Sequence, residues 1–227
     1  MTRMSKAPQR AKAKTWRLLL VDDQPVMRHG IRLALEGQRG FEISAEAEDV
    51  GTAMRAVRET NPDLVILEHM LRQGGGLDLV KQLRALREEL RILVFSHHDE
   101  QLYAERALRA GADGYLEKRG DPDRLVSSVR TILSGSTALS DSMTERLVSQ
   151  AVHGEGEEGG VVARLSDREL EVFQLIGSGQ STRSIAEQLS ISVKTVESHR
   201  EHIKKKLEIH EASELARFAV SWVEHPS

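Results

Sequence analysis

The chain contains no cysteine. Disulfides and thiolate-bound metals are therefore excluded, and a reducing compartment is compatible with the composition. Aromatic residues make up only 4% of the 227 positions, so any core must be aliphatic, which favours helices and a parallel sheet over an aromatic-rich β-sandwich. No apolar run reaches the length of a transmembrane helix, and the N-terminus is polar, unlike a secretory signal. A soluble cytoplasmic protein with no membrane partner is the expectation. Neither sign of charge dominates, the formal net charge being −3, but the balance hides local structure. Residues 1–15 carry Arg3, Lys6, Arg10, Lys12 and Lys14 and no acid, which reads as a disordered basic arm. Such an arm is either a solvated tail or a source of non-specific attraction to nucleic acid.

Short aliphatic runs recur at 16–21, 41–46, 63–67, 91–96 and 113–117. Between them lie segments of helical periodicity, roughly 25–37, 49–60, 77–88, 100–110 and 122–134. Strands alternating with helices of this length predict βαβ units around a parallel sheet covered on both faces. The first domain then spans 16–135. A linker over 136–163 follows, with a helix at 140–152 and the stretch HGEGEEGG at 153–160, which is too rich in glycine and glutamate to build a core. From 164 to 227 every segment reads as helical. Ser166 and Glu169 have the spacing of a capping box, with Leu165 and Leu170 at the staple positions. Further helices are expected at 181–189, 193–207 and 212–224.

Ligands of parallel α/β sheets bind outside the carboxyl ends of the strands, where strand order reverses. The residues at those ends are Asp22 and Asp23, Glu68, Ser96 and Lys118. If the fold is right, three carboxylates, a hydroxyl and an ammonium meet in one pocket. Crowded carboxylates need a cation, and hard oxygen ligands suit Mg²⁺. His97 and His98 follow Ser96, but adjacent residues of an extended chain face opposite ways, so a surface loop is the better reading. The glycines at 74–76 complete no phosphate-binding fingerprint.

Helix 181–189, a tight break and helix 193–207 have helix-turn-helix proportions. Val196, Ile203 and Leu207 share one face of the second helix, with His199 at its margin as a packed histidine. The opposite face presents Lys194, Ser198, Glu201 and Lys205, flanked by Glu197, His202 and Lys204, a mixture of donors, acceptors and cations suited to a major groove. The charge argument is weaker: residues 164–224 carry nine Lys/Arg against ten Asp/Glu. Leu215, Phe218, Ala219 and Trp222 form an apolar stripe at i, i+3, i+4 and i+7. It serves either a twin helix or the core of its own domain.

The segments LLLVDDQPVMRHGI, DLVILEHM, VFSHHDE and GADGYLEKRGDPDRL resemble the receiver domain of bacterial two-component response regulators. With the C-terminal half, where VKTVESHR is the most specific part, the chain over 16–225 resembles the NarL/LuxR-type subfamily. The resemblance implies a flavodoxin-like (βα)5 receiver with a five-stranded parallel sheet, joined to an all-α four-helix LuxR-type helix-turn-helix domain. It implies that Asp22 and Asp23, with the carbonyl of Met70, hold Mg²⁺, that Ser96 and Lys118 bind phosphoryl oxygens, and that Tyr115 is a switch residue working with Ser96. The phosphate-accepting aspartate falls on Glu68. One extra methylene moves the attacking oxygen by roughly 1–1.5 Å, and a misplacement of ~1 Å can cost about 10²-fold. Phosphorylation is thus disfavoured, Mg²⁺ binding is weakened or lost, and Glu68 becomes either a partial phosphate mimic or a silent acid. Arg72, where the family has proline, alters the following loop.

In the helical half, the resemblance implies that Glu197, Ser198 and Glu201 probe bases while Thr182, Lys194, Thr195 and Lys205 hold phosphates, with Lys204 adding charge. It implies a homodimer on promoter DNA, paired through the 215–222 stripe, with a sensor histidine kinase or other regulatory protein as a further partner and no turnover of an external substrate. Two other readings stay open: an ordinary phosphorylation-switched regulator, and an interaction scaffold that does not bind DNA.

Overall fold

Five strands, Trp16–Val21 (β1), Phe41–Ala47 (β2), Leu64–Leu67 (β3), Arg91–Ser96 (β4) and Gly114–Glu117 (β5), pair in parallel in the order β2-β1-β3-β4-β5. The computed structural model describes residues 14–71, 75–119, 121–153 and 161–224. Residues 1–13 of the basic arm, Arg72 and the stretch 154–160 lie outside the described residues. Side chains alternate across a strand, and that alternation sorts the core. Leu18, Leu20, Leu64, Ile66, Leu93 and Leu116 pack with Ile31 and Leu35 of Pro25–Glu36 (α1) and with Leu125 and Val129 of Pro122–Leu133 (α5). Leu19, Val21, Val65, Leu67, Ile92, Val94 and Tyr115 face the other way. There they meet Val50–Thr60 (α2), Gly76–Leu86 (α3) and Glu100–Ala110 (α4). Both faces are covered, which explains why these strands read as continuous apolar runs.

The order reverses beside β1, which has β2 on one flank and β3 on the other. Val21 pairs with Leu67, so the residues that follow each, Asp22 and Glu68, emerge side by side at the switch point.

The sheet domain extends past Gly135. Ala138 donates its amide to Asp113 O at 3.1 Å and accepts from Tyr115 N at 2.9 Å, a bridge along the outer edge of β5. The next helix, Asp141–His153 (α6), buries Met143 completely. Its Arg146 donates to Gln101 O at 2.9 Å, and Ser140 N donates to Glu100 Oε1 at 2.8 Å. The expected linker is thus fastened to the first domain at Ala138, Ser140, Met143 and Arg146, while Val148 and Val152 further along α6 are exposed.

A short 3-10 turn, Val161–Arg164, leads into Asp167–Gly177 (α7), Thr182–Gln188 (α8), Val193–Lys206 (α9) and Ala212–Glu224 (α10). The expected capping box forms: Ser166 N donates to Glu169 Oε2 at 2.7 Å and Glu169 N to Ser166 Oγ at 3.4 Å. The apolar stripe of α10 packs against α7. Leu215 and Ala219 are fully buried, and the Phe218 and Trp222 rings lie 5.7 and 5.4 Å from that of Phe173 on α7. Gly177 permits this approach, since a Cβ there would overlap the Ala219 carbonyl oxygen. Phe218 and Trp222 keep part of their surface exposed, as do Val220 and Val223 beside them, so the stripe builds the domain's core and still leaves an apolar edge of α10 at the surface. No helix among the described residues is long and apolar enough to cross a membrane.

Candidate functional site

Asp22, Glu68, Ser96 and Lys118 meet at the carboxyl end of the sheet. The side chains of Asp22, Glu68 and Lys118 are each at most 3% exposed, and Ser96 is fully buried. Glu68 Oε1 accepts from Ser96 Oγ at 2.6 Å and from the Met70 amide at 2.9 Å, while Oε2 accepts from Lys118 Nζ at 2.9 Å. Lys118 also donates to Asp22 Oδ2. The second Asp22 oxygen accepts from Gln24 N at 2.8 Å, and the Asp22 carbonyl from Arg28. One ammonium thus bridges two buried carboxylates, and each of their four oxygens has a donor. Burial works to raise the Glu68 carboxyl, but Lys118, the Met70 amide and Ser96 outweigh it and hold the group below its ordinary value.

In this arrangement the charge opposite Asp22 and Glu68 comes from the Lys118 ammonium. Lys118 sits between Asp22 and Glu68 and donates to both. Among the described residues no group of three or more His, Cys, Asp or Glu could hold a metal ion. Asp23, the next residue after Asp22, is half-buried.

Tyr115 is turned inward, 1% exposed, with its hydroxyl donating to His98 O at 2.8 Å. Sequence reasoning missed what surrounds it. His69 is fully buried, and neither ring nitrogen has a hydrogen-bond partner. Its ring lies 4.3 Å from Tyr103, 5.1 Å from His98 and 6.0 Å from Tyr115, centroid to centroid. Burial lowers the His69 imidazole to about 3 despite the neighbouring Glu68 carboxylate, so the ring is neutral and acts as an apolar filler. Only His97 is exposed as the surface-loop reading expects; His98 turns in, and burial lowers its imidazole too. A histidine directly after the last acid of a buried strand was the available signal.

On the helical half, α8 and α9 are started by Ser181 and Ser192, whose hydroxyls accept from Ser184 N and Thr195 N. Val196 and Ile203 are fully buried and Leu207 nearly so. Lys194, Thr195, Glu197, Ser198, Glu201 and Lys205 are exposed, and Thr182 is half-buried at the start of α8. Lys204 is half-buried and pairs with Glu201 at 3.0 Å, which removes part of its charge from the face. His199 is packed at the margin, with burial and Arg168 lowering its imidazole.

An acid pocket at the switch point of a parallel sheet and an exposed second helix of a helix-turn-helix occur here in one chain. Residues 18–130 match the family described as response regulator receiver domain, and residues 163–219 that described as bacterial regulatory proteins, luxR family. Over 209 residues the chain is 34% identical to the oxygen regulatory protein NreC of Staphylococcus haemolyticus (strain JCSC1435), covering 90% of this chain and 96% of the relative. The chain belongs to the LuxR-family response regulators. The transcriptional activator protein ExaE of Pseudomonas putida is similar at 36% identity, with 89% and 95% of the two chains covered. The fold is also that of RcsB from Salmonella enterica serovar Typhimurium, solved bound to promoter rprA with phosphomimetic BeF3⁻. There the TM-score is 0.66 at 23% identity, covering 91% of this chain and 99% of that one. As a LuxR-family response regulator, the protein is a DNA-binding transcription regulator.

Proposed function

We propose that this regulator binds promoter DNA as a dimer without being switched by phosphorylation, Glu68 standing where receivers carry their phosphate-accepting aspartate. The observation that carries the reading is that one Glu68 carboxylate engages Ser96 and Lys118 together while Tyr115 is turned inward. Those are the two side chains expected to receive phosphoryl oxygens. The longer side chain reaches both, and it brings one negative charge against roughly −1.5 to −2 for a phosphate. Glu68 is a permanent, partial stand-in for that group. Mg²⁺ has no part in this state, because Lys118 supplies the compensating charge. A sensor kinase is then not needed for DNA binding, and the protein turns over no external substrate in the cytoplasm.

On the DNA, Lys194, Thr195, Thr182 and Lys205 hold phosphates while Glu197, Ser198 and Glu201 face the bases. Carboxylates accept from cytosine amino groups but repel the backbone, so single-copy binding is weak and a dimer is required. The test is binding of a promoter fragment with and without a small phosphodonor. The wild type is expected to bind equally in both, and Glu68→Asp to bind more weakly until the phosphodonor is added. Wild-type affinity that rises tenfold with the phosphodonor would contradict the reading.

A further inference from the structure

Eight consecutive residues of α7, Glu169 to Ile176, are buried. At 3.6 residues per turn they point in every direction, so the helix is covered on more than the side facing its own domain. Leu170 and Phe173 account for that inner side. The other side carries Asp167, Glu171 and Gln174 at i, i+4 and i+7, one polar stripe, of which Glu171 is only 4% and Gln174 9% exposed.

What covers the stripe is the receiver. Asp167 pairs with Arg106 of α4 at 3.1 Å and with Lys81 of α3 at 3.3 Å. One turn before Arg106 on α4 lies Tyr103, fully buried. Burial, with Glu171 and Asp167 close by, raises its phenol well above the ordinary range. Gln174 is within reach, yet neither Tyr103 Oη nor Gln174 Oε1 has a hydrogen bond of normal geometry. The ring, not the hydroxyl, is therefore what fills the seam. Behind it lies the His69 ring, 4.3 Å away, which follows Glu68 directly in the chain. The backbone of His69 is in turn closed over by the start of α3, where Gly76 leaves no room for a Cβ.

The exposed DNA-facing residues Lys194, Glu197, Ser198, Glu201 and Lys205 are all on α9, and the seam is made by α7. We propose that the receiver clasps the DNA-binding domain by the polar stripe of α7, with Tyr103 as the positioning residue, and so holds the recognition helix open rather than covering it. Breaking this clasp loosens the two domains without uncovering anything.

The test uses the full chain and two readouts. In scanning calorimetry the wild type is expected to unfold in one transition and Tyr103→Ala in two, while Tyr103→Phe, which keeps the ring, restores one. Arg106→Asp and Asp167→Arg should each split the transition, and the charge-swapped double variant should rejoin it. A wild type that already melts in two transitions, or a swap that rescues nothing, overturns the clasp. In the second readout, binding of a promoter half-site fragment by Arg106→Asp is expected within about threefold of wild type, since the face is already exposed. A tenfold gain would mean that the receiver occludes α9 and would overturn the open arrangement. The calorimetric arm involves neither DNA nor a phosphodonor, so it can fail or succeed independently of the role assigned to Glu68.

Discussion

Lys118 is the residue on which the acid pocket depends. It neutralises two carboxylates that are both out of water, and removing one partner of a buried ionic cluster leaves the others uncompensated. Lys118→Met is expected to cost about 3–5 kcal/mol at pH 7. The loss should shrink toward pH 5 as a carboxyl takes up a proton; urea unfolding at the two pH values measures it, and a variant as stable as wild type would refute the pairing. His69 gives a different signature. Its folded value of about 3 lies below the ordinary 6.5, so the unfolded chain binds a proton that the folded chain refuses. Stability from this group is complete above pH 6.5 and falls as pH drops toward 3, by at most about 1.4 kcal/mol per pH unit. His98, also lowered, adds to the same slope. Glu68, whose folded value is depressed, begins to lose its contribution only below the ordinary carboxylate value of 4.5. His69→Leu should therefore flatten the acid limb between pH 6.5 and 4.5 and relieve two unpartnered buried nitrogens. An unchanged limb in acid-dependent denaturation would show that the ring is solvated.

At the scale of elements, local signals were legible wherever both partners of a contact lie within a few residues. The Ser166–Glu169 box follows from spacing alone. The stripe of α10 was legible as apolar, but not as facing α7, because Phe173 lies 40 residues and more before it. The stripe Asp167, Glu171 and Gln174 misleads for the opposite reason. Polar residues at helical spacing read as a solvent face, and it is the distant Lys81, Tyr103 and Arg106 that cover them. Gly177 is the contact point that the α10 packing cannot do without. Gly177→Val should displace α10 from α7 and lower the melting temperature of the helical domain by several degrees, while Gly179→Ala, at a left-handed position with open space around it, should cost far less. Equal effects would mean that the close approach is not needed. Ser192→Ala removes the cap of α9 and is expected to cost about 1 kcal/mol, weakening every DNA site alike because no base contact is lost. A change in sequence preference, read in a competition assay, would argue against a purely capping role.

For the whole molecule, the order of acids, hydroxyl and ammonium along the chain was enough to anticipate the pocket. Asp22 and Lys118 are brought together across 96 residues because successive βα units deliver every strand end to one side. What spacing could not convey was the state of that pocket. The ammonium lies between Asp22 and Glu68 and donates to both. Nor could it convey that the sheet domain continues past Gly135 to take in Ala138 and α6, or that the two domains share a seam. Those features depend on surfaces that meet only after each half has folded. The central claim is that Glu68 makes the receiver independent of phosphate, and intact-mass measurement after incubation with a small phosphodonor and Mg²⁺ tests it most directly. The wild type should keep its mass while Glu68→Asp gains a single phosphoryl group; a phosphoryl adduct on the wild type, mapped to Glu68, would contradict the account.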